Sequence, residues 1–197
     1  MAEAPAEAPP HDRRARHARK PSLTLSDLDL GRELGEGAFA RVVACRRRGD
    51  AREFALKVVD KAHALRHHRA RDVLAEREAL ARCAHPNIVK LYYALQAEHS
   101  WCFLMELCAG GDLYSAIRAR GSIPVPAARF LCGEVAGALA YLHSRLGLTH
   151  NDLKPENVGL CGKGHAKLLD FATVSPVRRR LAGAPAAGDP AGAPSDA

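Results

Sequence analysis

Residues Leu34–Val42 read L-G-E-G-A-F-A-R-V, a G-x-G-x-x-A turn whose meaning is set by the element directly after it. A dinucleotide-binding turn of this form must open directly into a helix, so that the helix N-terminus faces a pyrophosphate. Here the next residues are R-V-V-A-C, β-branched and alternating. The turn therefore links two strands. That argues against a doubly wound dinucleotide fold and for a glycine flap that can lie over phosphates. Ala40, in the last glycine position, is small enough to keep the flap tight.

The neighbouring segments fit such a flap into an α+β plan. L-D-L-G-R-E-L-G-E-G, A-R-V-V-A-C and F-A-L-K-V-V read as three antiparallel strands, the last two joined by the polar turn R-R-R-G-D-A-R-E. Ala70–Ala84 carries Val73, Leu74 and Leu80 among good helix formers, and His85-Pro86 ends it. I-V-K-L-Y-Y-A-L and W-C-F-L-M-E-L supply two more strands. Gly110-Gly111 then breaks the chain, Asp112 caps a short helix and Gly121 ends it. Pro126 opens a long amphipathic helix over 126–146 whose expected buried stripe is Phe130, Leu131, Val135, Leu139 and Leu142. Five strands and a helix, then a helical region, make a two-lobed fold. The expected folded part is residues 25–175. Residues 1–24, rich in Ala, Pro, Arg and His, read as a disordered arm, and 176–197 as a low-complexity Ala/Gly/Pro tail.

Composition narrows the function classes. The net charge of +7 comes largely from short, scattered basic runs without interleaved aromatics, which read as solvated surface rather than a nucleic-acid face. The six cysteines form no C-x-x-C pair, so neither a zinc site nor a disulfide framework is expected. The N-terminal run contains Glu3, Glu7 and Asp12, unlike a transit peptide. No apolar run is expected to reach the length of a membrane span. Cytoplasm or nucleus is the expected location.

Lys57, in F-A-L-K-V-V, can reach back under the flap to neutralise phosphate charge, provided a carboxylate holds it. Glu76 and Glu78 lie on different faces of the next helix. Leu80, four residues after Glu76 and expected to be buried, selects Glu76. Further on, Leu148–Leu160 reads L-T-H-N-D-L-K-P-E-N-V-G-L. There Asp152 can accept a proton from a hydroxyl, Lys154 can steady a phosphoryl group, and Asn157 with Asp170 offers hard oxygen ligands suited to Mg²⁺.

Together, G-E-G-A-F-A-R-V, A-L-K, E-R-E-A-L with H-P-N-I-V-K-L, H-N-D-L-K-P-E-N and D-F-A resemble the eukaryotic protein kinase family, in the family's order and spacing over roughly residues 28 to 175. K-P-E resembles the serine/threonine branch. G-x-x-L-G-E-G-A-F-A-x-V-V, E-R-E-A-L and V-K-L-Y-Y-A-L-Q look nearest to the phosphoinositide-dependent kinases of the basophilic group. The resemblance implies ATP and Mg²⁺ as cofactors and a serine or threonine hydroxyl on a protein as acceptor. It implies that Leu34, Val42 and Ala55 cover the adenine, and that Gly35, Glu36, Gly37, Ala38, Phe39 and Ala40 form the phosphate flap. Lys57 would bind phosphates and pair with Glu76. Met105 would be the gatekeeper, with hinge hydrogen bonds from the backbone of Glu106 and Cys108. Asp112 would reach the ribose, Glu156 would line the nucleotide site, Asp152 would be the catalytic base beside Lys154, and Asn157 and Asp170 would hold the metal.

The chain departs from the family pattern at several places. Asn151 replaces an arginine that pairs with a phosphorylated loop, and Ala172 replaces a glycine, restricting the backbone. Gly159 stands where the family has a bulky apolar residue beneath the adenine. Losing part of a contact worth about 1.5–3 kcal/mol predicts roughly tenfold weaker ATP binding, which Gly159→Leu should reverse. Ser175-Pro176 is a proline-directed phosphorylation candidate. On this reading the helical lobe is present only in its first part and has no A-P-E motif, so the helix over 126–146 should expose apolar surface that invites a partner. Three functions are open: a serine/threonine protein kinase by descent; a nucleotide-binding pseudokinase or scaffold; and a small-molecule kinase, against which K-P-E-N and H-P-N-I-V argue.

Overall fold

The computed structural model describes residues 23–37 and 39–177. Five antiparallel strands form the upper layer: β1 (Leu28–Glu36), β2 (Ala40–Arg47), β3 (Glu53–Asp60), β4 (Leu91–Gln96) and β5 (Ser100–Glu106), in spatial order β1-β2-β3-β5-β4. The strand period of two sorts β3 cleanly. Phe54 and Leu56 enter the core on one face, with Val43, Cys45, Cys102 and Leu104. Val59 enters a second core on the opposite face, with Phe103, and Lys57 shares the parity of Val59. The expected α+β, two-lobed plan is the observed one.

Two helices cover that second face. α1 (Lys61–Arg66) was not expected from the sequence; it is a single short turn-and-a-half whose only buried residue is Ala64, so it carries no apolar period. Asp60 caps it, accepting from the His63 backbone N–H at 2.6 Å. α2 (Ala70–Arg82) buries Val73, Glu76, Ala79 and Leu80 along one stripe.

Strand β4 starts three residues later than the apolar run from Ile88 suggests. Ile88 pairs with Leu168 in a parallel bridge, and Val89 N–H donates to the Leu168 carbonyl at 3.1 Å. These residues belong to a third core, between the layers, with Leu80, Ala138, Leu142, Leu168 and Phe171.

The lower layer holds α3 (Leu113–Arg120), α4 (Val125–Tyr141, continuing as a π-turn to Leu146) and the short strands β6 (Leu148–Thr149), β7 (Val158–Leu160), β8 (Ala166–Leu168) and β9 (Ser175–Pro176). β7 pairs with β8, and β6 with β9, both antiparallel. Asp112 caps α3, and Gly121 ends it at φ 77°. The expected stripe of α4 needs correction. Leu131 and Leu142 are buried, but Phe130 is 51% exposed and stacks on His165, with ring centroids 5.5 Å apart. Ala138, not Phe130, fills the buried position between Leu131 and Leu142. The expectation of no span-length apolar run also changes. Val125–Leu146, 22 residues, is by length and composition long and apolar enough to cross a membrane. It reaches that chiefly through Leu and Ala, of which Leu131, Ala138 and Leu142 face protein cores. The expected arm and tail fall almost wholly on residues outside those described.

This packing makes a test of which face of α4 is structural. Leu142→Ala should cost about 2–5 kcal/mol, as for other buried leucines. Phe130→Ala should cost under about 1 kcal/mol, as for an exposed side chain. Denaturant titration of both variants reads the difference, and equal losses would overturn the assignment.

Candidate active site

The residues singled out from the sequence converge on one cleft of about 820 Å³ between the layers. Its roof is the β1–β2 turn, including Leu34, Gly35, Glu36, Gly37, Phe39 and Ala40, together with Val42 and Ala55. Its back is the hinge after β5, with Met105, Glu106 and Cys108, and Asp112 stands at the start of α3. Asp152, Glu156, Asn157 and Asp170 line the opposite wall. Ala38 lies outside the described residues. Lys154 is not on the cleft wall; it joins through Asp152.

Lys57 stands at the centre. Its ammonium donates to Glu76 Oε1 at 2.6 Å and to Asp170 Oδ1 at 3.0 Å. Its side chain is 12% exposed, and that of Glu76 2%. Burial by itself pulls the Lys57 pKa down, but the carboxylates of Glu76 and then Asp170 more than offset this and leave it above the ordinary lysine value. Burial pushes the Glu76 carboxyl up, against the pull of Lys57. Glu78 is exposed, so the helical-face choice of Glu76 agrees with the geometry.

Asp152 lies in the loop between β6 and β7. Lys154 Nζ donates to its Oδ2 at 2.8 Å and Asn157 Nδ2 to the same oxygen at 2.9 Å. The Lys154 hydrogen bond, aided by that of Asn157, holds the Asp152 carboxyl below its ordinary pKa. It is thus ionised and able to take a proton. A second Asn157 Nδ2 bond, to the Asp152 carbonyl at 2.8 Å, fixes the amide so that its oxygen is the atom left for a cation. Asp170 keeps Oδ2 outside the Lys57 contact. Two hard protein oxygens of this kind would suit Mg²⁺.

The loop is held from beneath by groups that local sequence rules did not single out. His150 is 2% exposed; its Nε2 lies 2.8 Å from the Leu169 carbonyl and its ring meets Phe171 edge-on at 5.2 Å. Thr173 Oγ1 donates to the His150 carbonyl at 2.8 Å. Lys167 ties the hinge to β8, donating to Glu106 at 2.8 Å. Asp112 commits both carboxylate oxygens to Ser115, at 2.7 Å to the backbone N–H and 2.9 Å to the hydroxyl. The cysteine at the hinge and the glycine of β7 carry the clearest correction. A Cβ built on Gly159 would sit 2.6 Å from Cys108 Sγ, 2.9 Å from Cys108 Cβ and 3.0 Å from Leu169 Cδ1. The place beneath the adenine slot is therefore filled, by the Cys108 side chain rather than by residue 159. Burial raises the Cys108 thiol to about 11, so it is a neutral, apolar filler. Only the pattern of a small residue at 159 was visible in the sequence; its partner at 108 was not.

Residues 28–185 match the protein kinase domain family. The 3-phosphoinositide-dependent protein kinase 1 of Arabidopsis thaliana is 36% identical over 161 residues, covering 82% of this chain and 33% of that protein. The Homo sapiens protein of the same name is 36% identical over 168 residues, covering 85% of this chain and 29% of that protein. The serine/threonine-protein kinase greatwall of Xenopus laevis is 40% identical over 148 residues, covering 75% and 17%. The chain thus spans a third or less of the length of these relatives.

The filled slot reverses the expectation for Gly159. Gly159→Leu should lower stability by about 1–3 kcal/mol through overpacking and should weaken nucleotide binding, not strengthen it. Gly159→Ala should lose stability alone and lose less when combined with Cys108→Gly. Thermal melts of the single and double variants check this; a Gly159→Leu protein that melts at or above the parent would remove Cys108 as the filler.

Proposed function

The chain belongs to the protein kinase family, and from that premise we propose that it transfers the γ-phosphoryl group of ATP to a serine or threonine hydroxyl of a protein. The observation that supports this best is the meeting of Lys57, Glu76, Asp152, Asn157 and Asp170 in one cleft, with Lys57 doubly paired and Asp152 ionised.

The roles divide by position. The flap from Leu34 to Ala40, with Val42 and Ala55, covers the nucleotide. Met105 bounds the back of the slot. The Cys108 N–H has no backbone partner among the described residues and is the hinge donor for the adenine edge. Lys57 holds the α- and β-phosphates, and Glu76 holds Lys57. Asp152 orients the acceptor hydroxyl and takes its proton as the oxygen attacks the γ-phosphorus; ADP leaves with the electrons of the broken P–O bond. Lys154, on Asp152, offsets charge on the moving phosphoryl group. Asn157 and Asp170 would hold Mg²⁺, which supplies charge neutralisation between phosphate oxygens. Such chemistry is mostly positioning and electrostatics.

The scaffold reading rests on the partial helical lobe, on Ala172 and on Gly159 as a missing floor. Cys108 occupies that space, so the scaffold reading loses that support. The expected protein acceptor is drawn from the family.

Mg²⁺-ATP should raise the melting temperature of the full chain, since a ligand that binds only the folded state stabilises it by about 2.7 kcal/mol at a hundred times Kd. Lys57→Met should abolish the shift. Asp152→Asn should keep the shift but lower peptide phosphorylation by about 10²–10⁴-fold, the usual worth of a positioned base. Phosphorylation that survives Asp152→Asn unchanged would sink its role as base, and no shift in the parent would sink the nucleotide site.

A further inference from the structure

Beside the Thr173 bond to the His150 carbonyl, a second polar clamp joins the catalytic loop to the segment after Asp170. Asn151 Nδ2 donates to the Thr173 carbonyl at 2.7 Å and to Ser175 Oγ at 2.9 Å. The carbonyl can only accept, so the amide nitrogen must face this segment. Asn151 holds φ 66°, a left-handed conformation that asparagine tolerates better than most residues. Ser175 pairs with Thr149 and Pro176 with Leu148, and the Val177 N–H donates to the Gly147 carbonyl at 2.8 Å. Phe171 is buried and Val174 packs against the core between the layers, whereas Ser175, Pro176 and Val177 are all exposed and meet their neighbours through these polar and backbone contacts.

We propose that Ser175 is a phosphorylation site for a proline-directed serine/threonine kinase acting in trans, and that its modification releases the stretch Ser175–Val177 from Asn151 and from β6. Ser175-Pro176 is the one Ser/Thr-Pro pair in the whole sequence. It sits in extended backbone, as an enzyme that reads proline directly after the acceptor requires, and Arg178, Arg179 and Arg180 come shortly after it. In the step, the Ser175 oxygen attacks the γ-phosphorus of ATP held by that second enzyme. A new O–P bond forms, the bond to the β-phosphate oxygen breaks, the hydroxyl proton passes to that enzyme's base, and ADP leaves.

The partner of Ser175 sets the sign of the effect. A phosphate adds a charge of about −1.5 to −2 at neutral pH. The group that meets Ser175 Oγ is a neutral amide, and no Lys or Arg side chain hydrogen-bonds Ser175 or Asn151 among the described residues. A bulky dianion therefore replaces a compact hydroxyl where no Lys or Arg of the described residues hydrogen-bonds it. The Asn151 bond to Ser175 Oγ breaks, and with it the short β6–β9 pair. Ser175, Pro176 and Val177 lose their tether to the strand before the catalytic loop, while Thr173 keeps its bond to the His150 carbonyl and Phe171 its place in the core.

The test uses the full chain, treated with a proline-directed kinase and Mg²⁺-ATP, with Ser175→Ala as the site control and ATP alone as the background. Mass spectrometry should find one phosphate, on Ser175, that is absent from the control. Hydrogen exchange of the amides at 147–149, 175 and 177 should quicken about tenfold in the phosphorylated protein, and similarly in Asn151→Ala. Two outcomes overturn the proposal: no phosphate on Ser175 although a peptide of residues 170–181 accepts one, or a phosphorylated protein whose exchange in these segments is unchanged. The exchange is read without added nucleotide, so a chain that fails to bind Mg²⁺-ATP would defeat the kinase reading and leave this one standing or falling by itself.

Discussion

A single buried ammonium holds the architecture to its chemistry. Lys57 belongs to β3, Glu76 to α2 and Asp170 to the segment after β8, and the two carboxylates close on the one cation at 2.6 and 3.0 Å. Three elements from both layers thus share one charge. Such an arrangement is a poor source of net stability, since taking charges out of water offsets most of the Coulomb gain. Its value is register. If α2 turned by one residue, Glu76 would leave the stripe it shares with Val73, Ala79 and Leu80, and the Lys57 ammonium would keep only Asp170, the more exposed of its two partners.

Apolar packing sustains that register. The core between the layers joins Leu80 of α2, Ile88 and Val89 before β4, Ala138 and Leu142 around the end of α4, Leu168 of β8, and Phe171. Phe171 adjoins Asp170, and His150 bridges from the Phe171 ring to the loop before Asp152. The positions of the two acidic residues are therefore set by neighbours that are themselves buried. Polar groups do the finer alignment: Lys154 and Asn157 on Asp152, Lys167 on Glu106, Thr173 on the His150 carbonyl.

How far the sequence foretold this depends on the range of the signal. Local rules worked where a side chain reports its own surroundings. The glycine turn upstream pointed to Lys57, the helical face placed Glu76 over Glu78, and Asp112 and Gly121 bounded α3 as their chemistry requires. They failed where a third element decides. Ile88 and Val89 look like strand, yet Leu168 takes their pairing away from the sheet. Phe130 looks like core, yet the buried side of α4 runs through Leu131, Ala138 and Leu142. α1 has no apolar period to find, because Ala64 is its one buried residue and the rest is held by the Asp60 cap and by polar contacts of Lys61 with the β4–β5 turn. The filling of the slot by Cys108 is a contact between distant positions, and no window along the chain contains both residues.

That contact also limits how the sequence can drift. Cys108 and Gly159 occupy one volume between them, so neither position is free to change in size without regard to the other. A larger residue at 159 becomes tolerable only after the hinge residue has shrunk or its backbone has moved away from β7. The order of substitutions therefore matters, and descendants of this sequence that begin with a change at 159 meet a barrier that those beginning at 108 do not. Among relatives, the two positions should vary as a pair, with the hinge side chain recording what lies beneath it.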